Sequence, residues 1–425
     1  MDTGALPRDF KDDPSAEFHS SYARLRDSCP VQQIAQASGM RPFLVTRHED
    51  AKAALADQRL SKDPRTGERA LREAGLGHIY FSGRESLSHH MLAADPPDHT
   101  WLRRAVSASF TPRRIAGLEP QIRRITDDLI AVFEDAGQTE LMASFANQLP
   151  ALVIAELLGV PAADRDTFRS WSQDTLRPPQ DPEQRVAHHL LTEYLVGEIA
   201  GKRAAPGEDL ISALLSGADA DRLDEREVVS TALLLLLAGH ETTVNLIGNG
   251  TLALLTHPDQ LALLREQPRL IPEAVEEFLR YDGPVDRATL RFAAEDLQIA
   301  DVPIPEGSIV YVALSSANRD GDAFEDPDTL DVTRAPRGHL AFGHGIHFCL
   351  GAPLARLEAR IAFETLLGRL PDLRLAVPSD QLKYRPSTIM RGLEALPVTF
   401  TPPAPRTEQP THQATSRPTR VTPIG

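Results

Sequence analysis

Residues 342–351, FGHGIHFCLG, restrict this chain more than any other ten positions in it. Cys349 stands among Gly343, Gly345 and Gly351. From Leu350 onward Leu354, Leu357 and Ile361 recur at the spacing of an amphipathic helix. The cysteine is therefore expected at a helix N-terminus, where unpaired N–H groups and the positive dipole end favour thiolate over thiol. Glycines let a backbone turn tightly and approach a flat ligand closely. The bland alternative is a buried, inert cysteine beside a glycine turn, a common fate of free cysteine.

A second stretch predicts the longest helix. Asp224 can cap it, Glu227 can complete a capping box, and Leu223 with Val228 can form a hydrophobic staple. Residues 232–238 are apolar all round, which places that helix inside the fold. In its middle stand His240, Glu241, Thr242 and Thr243, with Asn245 just after. Polar residues there are costly unless satisfied. From the residues alone two accounts stand level: Thr242 bonds back to the preceding turn and Glu241 pairs with a distant base, or the group does chemistry. Glu277 and Arg280, spaced i, i+3, read alone as a solvated surface pair worth little.

Elsewhere Asp95-Pro96-Pro97 opens a helix that carries His99 and Arg103 on one face. Further helices are expected over 49–57, 151–158, 186–199 and 272–281. Strand-like runs lie at 43–47, 288–293, 299–304 and 308–313, with a hairpin region over 379–400. Residues 62–91 read as a long loop, more often functional than accidental. The pattern predicts a mainly α fold with a small β-rich portion. Residues 1–18 read as a loosely ordered arm and 19–401 as one domain. Residues 402–425, with six prolines, read as a disordered tail.

A net charge of −15 argues against nucleic acid as a partner. Two cysteines, Cys29 and Cys349, cannot build a disulfide framework, which fits a reducing cytoplasm. No apolar run approaches the ~20 residues that span a bilayer, and no signal peptide is visible, so no membrane association is expected.

The string at 342–351 matches F-G-x-G-x-H-x-C-x-G, the haem-ligand loop of the cytochrome P-450 superfamily. Residues 238–243 match that family's A-G-x-[D/E]-T-T motif, and 277–280 its E-x-x-R pair. The resemblance runs from about residue 17 to 400. It is nearest to soluble bacterial members and, through 238–250, 276–285 and 339–362, to the macrolide-hydroxylating branch of antibiotic pathways. It implies the superfamily's triangular helical prism around haem b, with Cys349 as the iron ligand and Phe342, Gly343 and Gly351 shaping the loop. His99, Arg103, Arg291 and His347 would meet the haem propionates. Ala238 and Gly239 would leave room for O2, while Thr242 and Glu241 deliver protons. Arg334 is the implied third member of the Glu277–Arg280 cluster, because Thr329 stands where many relatives have arginine.

Substrate contacts are implied at Ile79, Phe81, Leu87, Leu234, Val285, Ile389 and Met390. With Arg84 and Glu85 in the same segments as polar anchors, this mostly apolar pocket suits a bulky, partly oxygenated molecule. The implied activity is a haem-thiolate monooxygenase that inserts one atom of O2 into an unactivated C–H bond, by hydroxylation or epoxidation, of a macrolide or other polyketide. Electrons would come from NAD(P)H through a ferredoxin reductase and a ferredoxin. The ferredoxin would dock on the thiolate face against Arg103, Arg104, Arg113, Arg114, Arg356 and Arg360, with monomer the default state. The rivals are a terpenoid, steroid-like or fatty-acid substrate, a peroxide-driven relative, which would lack the Glu241–Thr242 pair, and a haem-binding sensor without turnover.

Overall fold

The long helix starts as its sequence dictates. Asp224 Oδ1 accepts from the Glu227 amide at 2.8 Å, and Glu227 Oε2 accepts from the Asp224 amide at 2.9 Å. The helix then runs over Glu225–Thr256. The computed structural model describes residues 7–12, 17–77, 90–108, 110–175, 181–216, 223–334 and 336–403. Helices Gln148–Leu158, Pro182–Ala204, Ile271–Asp282 and Ala352–Arg369 pack around the long helix. Leu233, Leu236, Val244 and Ile247 join Val153, Leu195 and Ile361 in one apolar cluster. By length and composition this helix could cross a bilayer. However, 72% of its most apolar window is buried inside the protein, as in a core helix.

The β-rich portion is assembled from distant pieces. One sheet runs Val31–Gln33, Phe43–Val45, Ile309–Val312, Arg291–Ala293, Leu60–Ser61 in spatial order. Only the second and third of these strands pair in parallel. Strand Pro397–Thr399 pairs with Gln138–Glu140 and Arg374–Leu375. The hairpin expected over 379–400 is thus confined to its first part, where Arg385 N bonds Gly392 O and Glu394 N bonds Lys383 O.

The loosely ordered arm expected over 1–18 is corrected for residues 7–12. There Asp9 is 3% exposed and forms two hydrogen bonds with Arg287, and Lys11 pairs with Asp286. Buried ion pairs to partners far along the chain hold this segment, and local composition does not register them. The tail beyond residue 403 lies outside the described residues, as do Ile79, Phe81, Arg84, Glu85 and Leu87.

Candidate active site

The cysteine loop is closed by Cys349 N donating to Phe342 O at 2.9 Å and Gly343 N donating to Leu340 O at 2.8 Å. Gly343 and Gly345 take φ values of 72° and 73°, a region L side chains rarely adopt. A Cβ on Gly345 would also lie 3.0 Å from Leu55 O, so glycine is required there twice over. The helix begins at Ala352, with Pro353 in its first turn. Cys349 keeps accessible surface, yet the protein around it desolvates the sulfur. Burial pushes the thiol up, outweighing the amides of Gly351 and Ala352 and the charges of Arg103 and Arg356. A coordinated metal ion reverses that balance, because a coordinating thiol is deprotonated outright.

Beside the loop three basic side chains converge from different elements. His99, on helix Asp98–Ser107, is buried, and its ring centroid lies 4.4 Å from that of His347. Arg291, on strand Arg291–Ala293, is 4% exposed and bonds the carbonyls of Leu60 and Leu55. Buried nitrogens of all three, His99 Nε2, His347 Nε2 and Arg291 Nε, have no protein partner. Burial pushes Arg291 down to about 10. Burial, with the neighbouring His99, Lys62, Arg291 and Arg103, pushes His347 to about 2. Arg103 reaches the loop itself, Nη2 donating to Phe348 O at 2.7 Å. Unpartnered buried polar nitrogens are costly, and an anionic ligand that accepts from the Arg291 guanidinium and the N–H tautomers of the two imidazoles removes that cost. A haem with two propionates beside a cysteine sulfur fits this arrangement in charge and in donor type. The Arg291→Leu variant is expected to release haem about tenfold faster, the worth of one charge-assisted hydrogen bond, read by transfer to apomyoglobin. An unchanged transfer rate would remove Arg291 from this role.

One face of the long helix is left open. Around its polar run it is buried at His240 and from Thr243 to Leu246, whereas Ala238 is exposed and Glu241 and Thr242 are partly so. Positions i, i+3 and i+4 share one face. Both local bonds considered from the sequence exist. Thr242 Oγ1 donates to Ala238 O at 2.7 Å, and Glu241 lies 3.9 Å from Arg385. Burial pushes the Glu241 carboxyl up, against Arg385. Arg385 Nη2 also donates to Asn245 Oδ1 at 2.6 Å. Local satisfaction and access coexist in the acid and the alcohol. At Gly239 a Cβ would lie 2.8 Å from Ile154 Cδ1, so the missing side chain also lets that isoleucine pack against the helix.

The Glu277–Arg280 pair is not at the surface. Both side chains are 0% exposed and joined by two bonds of 2.7 Å. Arg334 Nε reaches Glu277 Oε1 at 3.3 Å, and Thr329 contributes its main-chain carbonyl to Arg280. Two of the six arginines read as a basic patch are paired with acids. Arg356 pairs with Glu276, and Arg360 with Glu119 and Glu364. A cavity of about 450 Å³ opens at this face, lined by Lys52, Arg337, His344, Phe348 and Arg356 among others.

Of the implied substrate residues, Leu234 is 9% exposed on the long helix, and Val285 pairs with Met390 across an antiparallel bridge next to Ile389. Two residues escaped the sequence reading. Lys62 is buried and donates to Thr289 Oγ1 and Leu290 O, both at 2.6 Å. Arg385 faces Glu241. Neither sits in a spacing pattern that marks it.

The family description "Cytochrome P450" matches residues 195–371. The vitamin D(3) 25-hydroxylase of Pseudonocardia autotrophica is 48% identical over 90% of this chain and 94% of its own length. The 6-deoxyerythronolide B hydroxylase of Saccharopolyspora erythraea is 44% identical over 90% of this chain and 96% of its own. The solved structure of the ligand-free P-450 monooxygenase TamI superposes with a TM-score of 0.84 at 45% identity, covering 94% of both chains.

Proposed function

The chain belongs to the cytochrome P-450 family of monooxygenases, and on that premise we propose that it hydroxylates a bulky macrolide or other polyketide. The reaction balances as R–H + O2 + 2 e⁻ + 2 H⁺ → R–OH + H2O. The observation that carries the reading is the trio of unpartnered buried nitrogens on His99, Arg291 and His347 beside the Cys349 loop. When bound, haem supplies O2 activation, which a cysteine thiolate favours by donating electron density.

This chain's own residues do the rest. Cys349 offers the sulfur, and Arg103 steadies its loop through the Phe348 carbonyl. His99, Arg291 and His347 bind the propionates, and Phe342, Gly343 and Gly351 shape the loop. The small side chain of Ala238 keeps one face of the long helix open. The raised Glu241 carboxyl keeps its proton to higher pH than an ordinary glutamate, as a donor needs. Thr242 gives its own proton to Ala238 O, so it turns acceptor lone pairs outward, able to hold a proton-bearing water supplied from Glu241. Leu234, Val285, Ile389 and Met390 present apolar surface to the substrate.

Electrons reach the site from NAD(P)H through a reductase and a ferredoxin bound on the Cys349 face, in a cytoplasmic, monomeric protein. A steroid-like substrate is the second reading, favoured by the 48% identity to a vitamin D(3) hydroxylase. Turnover with ferredoxin, reductase and NAD(P)H, offered 6-deoxyerythronolide B and vitamin D3 separately, decides between them. We expect a hydroxylated macrolactone. Product from vitamin D3 alone would establish the second reading instead.

A further inference from the structure

Two turns furnish the described β side of the substrate pocket argued above, residues 284–289 and 387–390. They are tied to each other by Asp286 N donating to Ile389 O at 2.8 Å, Arg391 N donating to Pro284 O at 2.9 Å, and the Val285–Met390 bridge. A segment from the far end of the chain grips both. Lys11 Nζ donates to Asp286 Oδ2 at 2.6 Å and to Thr388 O at 3.2 Å, so one ammonium spans the two turns. Asp9 accepts from the Arg287 guanidinium at 2.5 and 2.8 Å. Tyr22 Oη stands between them, donating to Asp286 Oδ2 and accepting from Arg287 Nε, each at 3.0 Å.

Asp9, Tyr22, Asp286 and Arg287 are all 3% exposed or less. Two carboxylates face two cations, so the network is balanced in charge, although Asp286 Oδ1 has no partner among the described residues, and removing one member of such a buried network is costly. Its attachment points are not scattered over the fold. Asp286 and Arg287 directly follow Val285, and Thr388 directly precedes Ile389. A simple anchor for the N-terminal segment has no need of contacts on both turns.

We propose that Lys11 and Asp9 are positioning residues for substrate recognition: they fix Val285 against Ile389 and Met390, and so decide which carbon of a bulky substrate is presented. This rests on the assignment of the two turns to the substrate pocket.

The test uses the haem-loaded full chain and two iron-binding azoles followed by absorbance. Imidazole is too small to reach the turns, and clotrimazole is not. Lys11→Met keeps the apolar stem and removes the ammonium. It is expected to weaken clotrimazole about tenfold, the worth of one charge-assisted hydrogen bond, and to leave imidazole unchanged. The amide hydrogens of Asp286 and Arg391 exchange faster in the variant, and Lys11→Arg restores wild-type values. If Lys11→Met does not fold, Lys11→Gln at this partly exposed position carries the same readouts.

Unchanged amide exchange in a folded variant would overturn the clamp. So would a parallel loss of both azoles without rescue by arginine, which marks a plain fold anchor. Faster exchange with clotrimazole unaffected would overturn the pocket assignment instead.

Discussion

The Glu277→Ala variant is expected to lose about 3–5 kcal/mol of unfolding free energy, the usual cost of breaking one side of a buried ion pair. Glu277 receives Arg280 through two bonds, the Asp331 amide at 3.0 Å and Arg334 at 3.3 Å. Its removal leaves the Arg280 guanidinium, with no exposed surface, held by carbonyls of Asn318, Pro327 and Thr329 and by the Phe324 ring 5.5 Å away. Carbonyl dipoles solvate a cation incompletely, so the charge is left uncompensated in a poorly polarisable interior. Arg334→Ala is expected to cost distinctly less, because Arg334 is 17% exposed and its bond to Glu277 is longer. Denaturant titration of both variants measures the difference. A loss below about 1 kcal/mol for Glu277→Ala would place it with ordinary surface pairs.

The second large effect concerns coupling. Thr242→Ala is expected to keep consuming NAD(P)H while product per electron pair falls on the order of tenfold and peroxide appears, since a positioned proton donor chain carries roughly 10² or more in rate. The substitution removes only the Oγ1 bond to Ala238 O and replaces threonine by a better helix former, so stability should hold. That separates a proton-handling role from a structural one. Glu241→Gln should lower coupling in the same direction, because the amide cannot supply a proton. Equal yields of product per NAD(P)H in wild type and Thr242→Ala would end the relay assignment.

What the sequence made legible was local. The capping box at Asp224 and Glu227 and the placement of His99 and Arg103 on one helix face follow from spacings of three or four residues, and the tight turn before Cys349 from its glycines. What it hid was long-range pairing. Glu277 and Arg280 read as a surface pair because their burial is decided by the segment carrying Thr329 and Arg334. Arg356 and Arg360 read as a free basic patch because Glu276 and Glu119 lie far along the chain. Asp9 and Lys11 read as a loose arm because their partners, Arg287 and Asp286, are more than 270 residues away. Lys62 fell in a stretch read as loop, where no periodicity marks an inward side chain. At Gly239 the motif gave no sign of the neighbour from another helix, Ile154, that packs where a side chain would stand.

The central claim is that Cys349 ligates a haem iron whose propionates His99, Arg291 and His347 hold. The absorbance of the purified protein, reduced and exposed to carbon monoxide, tests it most directly in wild type and Cys349→Ser. The red-shifted Soret band of thiolate ligation is expected in wild type and not in the variant. The same band in both, or no haem absorbance in wild type, would contradict the account.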